Sequence, residues 1–251
     1  MKASFIINAK VYEADLTNPL DISIPLNAGS DNPNCYYAAP VNFETIRSGD
    51  FIGSVALGGS VNYQSISITP HGNGTHTECF GHISSDQGAT LNKCLKRYHF
   101  SAQVITLPPT QKPNGDLVIS FEDFQAVFQE GIEAIIIRTS PNTIEKLHRQ
   151  YSGTNPCYMD SRIAELLCQK DVKHLLIDLP SVDREVDGGE LKSHRAFWNM
   201  NGNIRKDCTI TELIYVNNDI QDGLYLLNLQ ITSLEADASP SKPVLFKVKE
   251  Y

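Results

Sequence analysis

His71-Gly-Asn-Gly-Thr-His76-Thr-Glu78-Cys-Phe-Gly-His82 gathers three of the chain's seven histidines into twelve residues, with a glutamate among them. Imidazole nitrogens and carboxylate oxygens are the usual protein ligands of a catalytic divalent metal. If the second half of this stretch is extended, side chains alternate, and His76, Glu78 and His82 project to one side. A lone histidine is usually structural or at the surface. Three of them with an interposed acid point to a metal site instead. Cys79 falls on the opposite side of the same extended segment and is expected to be a packed thiol.

The rest of the chain is ordinary globular material. Its 251 residues suit one large domain or two small ones, and a single domain over 1–251 is expected. Hydrophobic residues at 41% and charged residues at 20% suffice for a substantial core. A formal charge of -8 and a pI near 5.3 argue against a nucleic-acid partner. No apolar run approaches the roughly 20 residues of a membrane helix, so no membrane partner is expected. The N-terminal apolar stretch is short and broken at Asn8, which does not fit a signal peptide and leads to the expectation of a cytoplasmic protein. Cysteines 35, 79, 94, 157, 168 and 208 are scattered without a C-x-x-C pair, so free thiols are expected.

Strand-like runs are Phe5–Val11, Asp21–Ile24, Val61–Thr69, Ala102–Leu107, Ala134–Arg138, His174–Leu179, Leu224–Ile231 and Val244–Val248. Helical patterns are Phe121–Phe128, with Ser120 as N-cap, Asn142–Gln150 after Pro141, and Ser161–Gln169 after Asp160. The middle alternates strand and helix while both ends are strand-rich, which predicts a mixed α/β domain with helices packed on a sheet. A loop at a strand end, held by that sheet, is a common seat for chemistry. No phosphate loop and no G-x-S-x-G elbow occurs.

Gly74-Thr75-His76-x-Glu78-x-x-x-His82, with His71 upstream, resembles the H-x-G-T-H-x-D-x-P-x-H signature of the metal-dependent cyclase/hydrolase family, which includes bacterial kynurenine formamidase and isatin hydrolase. The likeness continues in order along the chain. Asp21-Ile-Ser-Ile-Pro-Leu26 resembles the family's D-[IL]-[ST]-x-P-[IL] segment, and Asp178-Leu-Pro-Ser-Val-Asp183 its D-x-x-S-[VI]-D segment. His194, Glu212 and the Ala238-Ser-Pro240 ending follow.

The resemblance implies a swivelling β/β/α fold, a homo-oligomer (dimer or tetramer) and a small-molecule substrate. It implies that His71 and His76 hold a first divalent ion, zinc or else manganese, and that Glu78 bridges to a second completed by His194 and Glu212. One ion or two is left open. His82 would be the general acid/base, and the reaction hydrolysis of a carbon–nitrogen bond in an amide, formamide or lactam by activated water. A cyclase or lyase on the same site, or a binding protein without turnover, are the alternatives. Asp178 and Asp183 would orient ligands or cap loops. His99, His148 and His174 match nothing in the family pattern and are read as structural or exposed.

Three departures stand out. His71 and His76 are five apart instead of four, so a turn at Gly72 or Asn73, both tolerant of positive φ, must realign them. Glu78 replaces an aspartate, and Phe80 a proline, reshaping the floor of the substrate pocket. The formamidase branch also carries a tryptophan in the loop after its first segment. Here that loop is Asn27–Tyr37 and the sole tryptophan is Trp198, so a substrate other than formylkynurenine is expected, with Tyr36 or Tyr37 as stacking faces.

Overall fold

Successive residues of the buried strands enter two different cores, and this alternation sets the architecture. The computed structural model describes all 251 residues. One ten-stranded sheet contains β1 (Lys2–Ile7), β2 (Lys10–Asp15), β3 (Leu20–Asp21), β4 (His76–Cys79), β5 (His99–Leu107), β6 (Ala134–Thr139), β7 (His174–Ile177), β8 (Thr209–Glu212), β9 (Gly223–Ile231) and β10 (Ala238–Glu250). Seven of these strands close into a barrel in the order β10-β9-β5-β6-β7-β8-β4, with β4 pairing back onto β10. Strands β5 to β8 run parallel, and the pairings of β4, β9 and β10 are antiparallel.

Phe100, Ala102 and Val104 of β5, Ala134 and Ile136 of β6, Leu176 of β7 and Cys79 of β4 fill the barrel. The alternate residues, Ile105, Ile135, Ile137, Leu175, Ile177 and Ile210, face outward onto a layer of helices. Those helices are α2 (Phe121–Val127), α3 (Ser161–Gln169) and α4 (Lys192–Phe197), whereas α1 (Leu91–Cys94) sends Leu91 into the barrel core. Phe124, Ile163, Leu167, Phe197 and Trp198 supply the apolar stripes that cover the sheet. Ser120 and Asp160 cap α2 and α3 by accepting from the Asp123 and Arg162 amides at 3.2 and 3.0 Å.

The mixed α/β architecture is as the sequence predicts, but several elements differ. Phe5–Val11 is not one strand: a turn at Asn8 and Ala9, both at positive φ, folds it into the β1–β2 hairpin. Asp21–Ile24 makes only a short strand: the Ile22 amide still donates to the Pro243 carbonyl at 3.2 Å, and the Asp21 carboxylate then takes the Ser23 amide at 2.9 Å and turns the chain. Asn142–Gln150 contributes only a 3₁₀ turn at Ile144–Leu147, because Lys146 is drawn inward to the Asp178 carboxylate at 2.7 Å. Strand β8 and helices α1 and α4 have no counterpart in the sequence reading.

Residues 42–67 leave the barrel as an arm of two short hairpins, Asn42–Thr45 with Gln64–Ser67 and Arg47–Ser48 with Phe51–Ile52. The arm returns directly into the Pro70–Gly72 turn that carries His71.

Candidate metal centre

Strand β4 ends against both β8 and β10, and its outward face begins the site. His76 is paired directly with Glu212 across the β4–β8 ladder, so their side chains share a face, with His76 Nε2 3.4 Å from Glu212 Oε2. Glu78, two residues on, lies on that same face. Thr77 and Cys79 point into the barrel, where Thr77 meets Thr211 at 2.8 Å. The thiol of Cys79 is buried there, as its place in the alternation predicts.

Turns on either side of β4 deliver the other histidines. A 3₁₀ turn at Pro70–Gly72 presents His71, and Gly74 at φ +108° then swings the chain into the strand. The realignment of His71 with His76 was expected at Gly72 or Asn73, yet Asn73 keeps φ at -123° and Gly74 takes the left-handed conformation. Gly72 serves a different purpose: a Cβ there would lie 2.3 Å from the Ala38 Cβ. Beyond the strand, His82 does not continue an extended run. Phe80–Ile83 forms a second 3₁₀ turn that folds His82 back over the site, its ring 4.3 Å from that of His71. Phe80 is 4% exposed and packs in the outer core.

His194 arrives on α4, a six-residue helix without a side-chain cap at Leu191. Asp183 replaces that cap. Its carboxylate accepts the Ser193 and His194 amides at 2.7 and 3.1 Å and also holds His194 Nδ1 at 2.7 Å. One aspartate therefore starts the helix and fixes the ring that the helix carries. Asp178 is not near this cluster; it is neutralised by Lys146 and by Thr139, whose amide lies at 2.8 Å.

Glu78 is the hub. Its Oε2 lies 3.1 Å from His71 Nδ1 and 3.8 Å from His82 Nε2, and its Oε1 lies 3.1 Å from His194 Nε2. Glu212 Oε1 lies 3.9 Å from His194 Nε2 and takes the Val182 amide at 3.0 Å. The five residues singled out as metal ligands thus meet at one place, with His82 beside them. The glutamate in place of the family's aspartate reaches both His71 and His194.

Asp237, which the sequence reading passed over, completes the cluster. Its Oδ2 stands 2.9 Å from His71 Nε2 and 3.4 Å from His82 Nδ1. It immediately precedes the Ala238-Ser-Pro240 segment, so the signal lay one residue outside the motif. Tyr36, at φ +54°, turns its hydroxyl end toward Ser181 and Glu212, and burial with that carboxylate pushes the phenol up.

Burial opposes charge on His194 and on His71, but the surrounding carboxylates outweigh it. Asp183 and Glu78 push His194 up to about 10, and Glu78 with Asp237 pushes His71 up to about 9. Burial likewise works against the Glu78 carboxylate, yet His82, His194 and His71 hold it well below the usual range. This is a donor set assembled for positive charge. His76 Nε2 and Glu78 Oε2 are buried and make no hydrogen bond, whereas His76 Nδ1 is engaged by the Gly74 carbonyl at 2.9 Å. Buried polar atoms without partners are costly, and a divalent cation would satisfy both. His71, His76 and Glu78 present ligand atoms within 4.8 Å of one another, as do Glu78, His82 and His194. The residues fit a divalent metal.

Comparison with known proteins gives a consistent picture. The model of the family described as "Putative cyclase" matches residues 14–184. A kynurenine formamidase of Bacillus mycoides is 25% identical over 227 residues, covering 90% of this chain and 96% of that protein. Among solved structures, a potential metal-dependent hydrolase with cyclase activity superposes with a TM-score of 0.62 at 18% identity, covering 91% of this chain and 97% of the other. Isatin hydrolase A from Labrenzia aggregata gives 0.64 at 14% identity, with coverage of 91% and 93%. At these identities the two structures speak for the fold.

Proposed function

The chain belongs to the cyclase family, and on that premise we propose that it is a metal-dependent hydrolase opening a carbon–nitrogen bond in a small amide, formamide or lactam. The observation that carries this reading is the convergence of His71, His76, Glu78, His194 and Glu212 around two buried, unpartnered ligand atoms. His71, His76 and Glu78 would hold one ion, and Glu78, His194 and Glu212 a second, zinc or manganese. A divalent ion there supplies a Lewis acid that acidifies water and polarises a carbonyl.

His82 is the proton carrier in this reading. Its Nδ1 stands 3.4 Å from Asp237 Oδ2, and its Nε2 faces Glu78 Oε2 and the ion site at 3.8 Å. That nitrogen takes the proton from the attacking water and returns it to the leaving amine. A half-exposed ring suits the role, since the proton must also exchange with solvent. The reading includes a cytoplasmic enzyme acting as a homo-oligomer on a small molecule, without nucleic-acid or membrane partners. No helix is long and apolar enough to cross a membrane.

The test is metal analysis of the purified protein together with product analysis over formamides, lactams and cyclic imides. Metal-dependent release of acid and amine, abolished by chelation and restored by zinc or manganese, is expected. A product formed without uptake of water would instead assign a cyclase or lyase. Stoichiometric metal without turnover on any of these classes would assign a binding protein.

A further inference from the structure

Four imidazoles meet at the metal centre, and each turns one nitrogen toward Glu78 or Glu212 and the other away. His194 is held from outside by Asp183 at 2.7 Å and His76 by the Gly74 carbonyl at 2.9 Å, both on Nδ1, so Nε2 faces inward. His82 follows the same order, with Nδ1 3.4 Å from Asp237 Oδ2 and Nε2 3.8 Å from Glu78 Oε2. His71 reverses it. Its Nε2 makes a 2.9 Å hydrogen bond with that same Asp237 oxygen, and its Nδ1 lies inward, 3.1 Å from Glu78 Oε2. The inner approach is not a hydrogen bond, since Glu78 Oε2 has no hydrogen-bond partner. A neutral imidazole carries a single N–H, so in His71 it belongs to Asp237 and the Nδ1 lone pair is left for an ion.

Asp237 is pinned by main chain and spends its carboxylate on nothing else. Its carbonyl accepts the Cys79 amide at 3.0 Å, the Ala236 carbonyl accepts the Leu91 amide at 2.7 Å, and Ala238 pairs with Glu78 across the β4–β10 ladder. The carboxylate meets no lysine, arginine or backbone amide, and its polar contacts are the His71 and His82 rings alone. Those rings lie 4.3 Å apart and within 30° of parallel, so one edge of each reaches the same oxygen. We propose that Asp237 is a positioning residue shared by the two: it fixes His71 as a ligand through Nδ1 and His82 as the tautomer protonated on Nδ1 with a basic Nε2. One carboxylate thereby sets both a metal ligand and the proton carrier, as carboxylates behind metal-bound imidazoles orient the ring and raise its basicity. The inference rests on the metal-dependent reading above and adds to it the ligand atom of His71 and the group that orients His82.

The experiment loads the isotope-labelled full-length protein with zinc and reads the four rings by long-range proton–nitrogen correlation. His71 should be zinc-bound through Nδ1 with its proton on Nε2, and His82 should be unbound with its proton on Nδ1. In Asp237→Ala the zinc affinity should fall about 10- to 100-fold, and kcat at saturating zinc should fall with KM unchanged. Asp237→Asn, which keeps an acceptor oxygen, should recover part of both. In a His82→Ala background, Asp237→Ala should weaken zinc as before but cost no further turnover, because it acts on the rate through His82. Zinc on Nε2 of His71, or the His82 proton on Nε2, overturns the assignment, and these wild-type spectra decide it even if Asp237→Ala does not fold. A loss of turnover that persists in full without His82 overturns the shared role. No zinc uptake at all would sink the metal reading and this assignment together, whereas zinc held through the other nitrogen of His71 sinks this assignment alone.

Discussion

His82 and His174 show how the same side chain takes opposite roles from its surroundings. His82 sits at the mouth of the metal centre, with Asp237 on one nitrogen and Glu78 opposite the other. If it carries protons and does not bind the ion, His82→Ala should keep its full metal content while turnover falls roughly 10²–10⁴-fold. Metal analysis beside steady-state kinetics separates the two roles, since loss of the ion would make His82 a ligand. His174 is buried under Phe100 with its Nδ1 on Thr209 at 2.8 Å. Burial, together with the nearby Arg97 charge, lowers its pKa to about 3. The unfolded chain therefore binds a proton that the folded chain refuses. The stability this confers is complete above the unfolded value of about 6.5 and is lost as pH falls below it, at about 1.4 kcal/mol per pH unit. Urea unfolding between pH 7 and pH 5, ahead of most carboxylate titration, should register that slope, and His174→Gln should flatten it. A wild-type slope unchanged in the variant would mean that His174 is not its source.

Elements were legible in the sequence where a pattern ran long enough to repeat. β5, β6 and β9 alternate or run apolar over six to nine residues, and α3 has a cap and a full amphipathic stripe, so their reading survives in the structure. β8 is four residues with a single isoleucine, and α4 is six residues, too short for a helical period to emerge. His194 and Glu212 ride on these two elements, so only the order of motifs, not local pattern, could find them. The turn geometry at Gly74 depends on contacts across the fold and left no local trace, and Asp237 is marked only by its place one residue before the Ala238-Ser-Pro240 segment. Because Asp183 both starts α4 and holds His194, Asp183→Asn should weaken metal affinity about 10- to 100-fold with the fold retained, measured by metal titration with circular dichroism. Unaltered affinity would reduce Asp183 to a helix cap. The Asn27–Tyr37 loop carries a prediction of its own. Trp198 is fully buried and bonded to the Cys208 carbonyl at 3.0 Å, so it is not available to a substrate ring. Tyr36 offers its hydroxyl end to the site and Tyr37 is 79% exposed. A pocket without the loop tryptophan should disfavour formylkynurenine by roughly 10- to 200-fold relative to a preferred substrate. A kcat/KM on formylkynurenine above about 10⁵ M⁻¹s⁻¹, the level of a dedicated enzyme, would refute this.

At the scale of the molecule, the barrel hides its apolar residues and the arm does not. Val55, Leu57, Val61, Tyr63 and Ile66 lie between 50% and 60% exposed on residues 42–67. Two-stranded hairpins are marginal on their own, and several exposed apolar side chains along such an arm mark a contact surface more often than a solvated one. The occupant we propose is a second copy of the chain, because assemblies of folded proteins are mostly symmetric homo-oligomers. The arm also runs straight into the turn bearing His71, so an interface here would steady the metal centre as well as bury apolar area. Light scattering on the purified protein should give a mass at least twice the chain's 27.8 kDa at micromolar concentration. Ile66→Lys with Leu57→Lys should shift it toward the single-chain mass and weaken metal retention, because the lysines would have to be desolvated at the contact. A wild-type protein that stays at 27.8 kDa across the micromolar range would rule out the arm as a contact between copies.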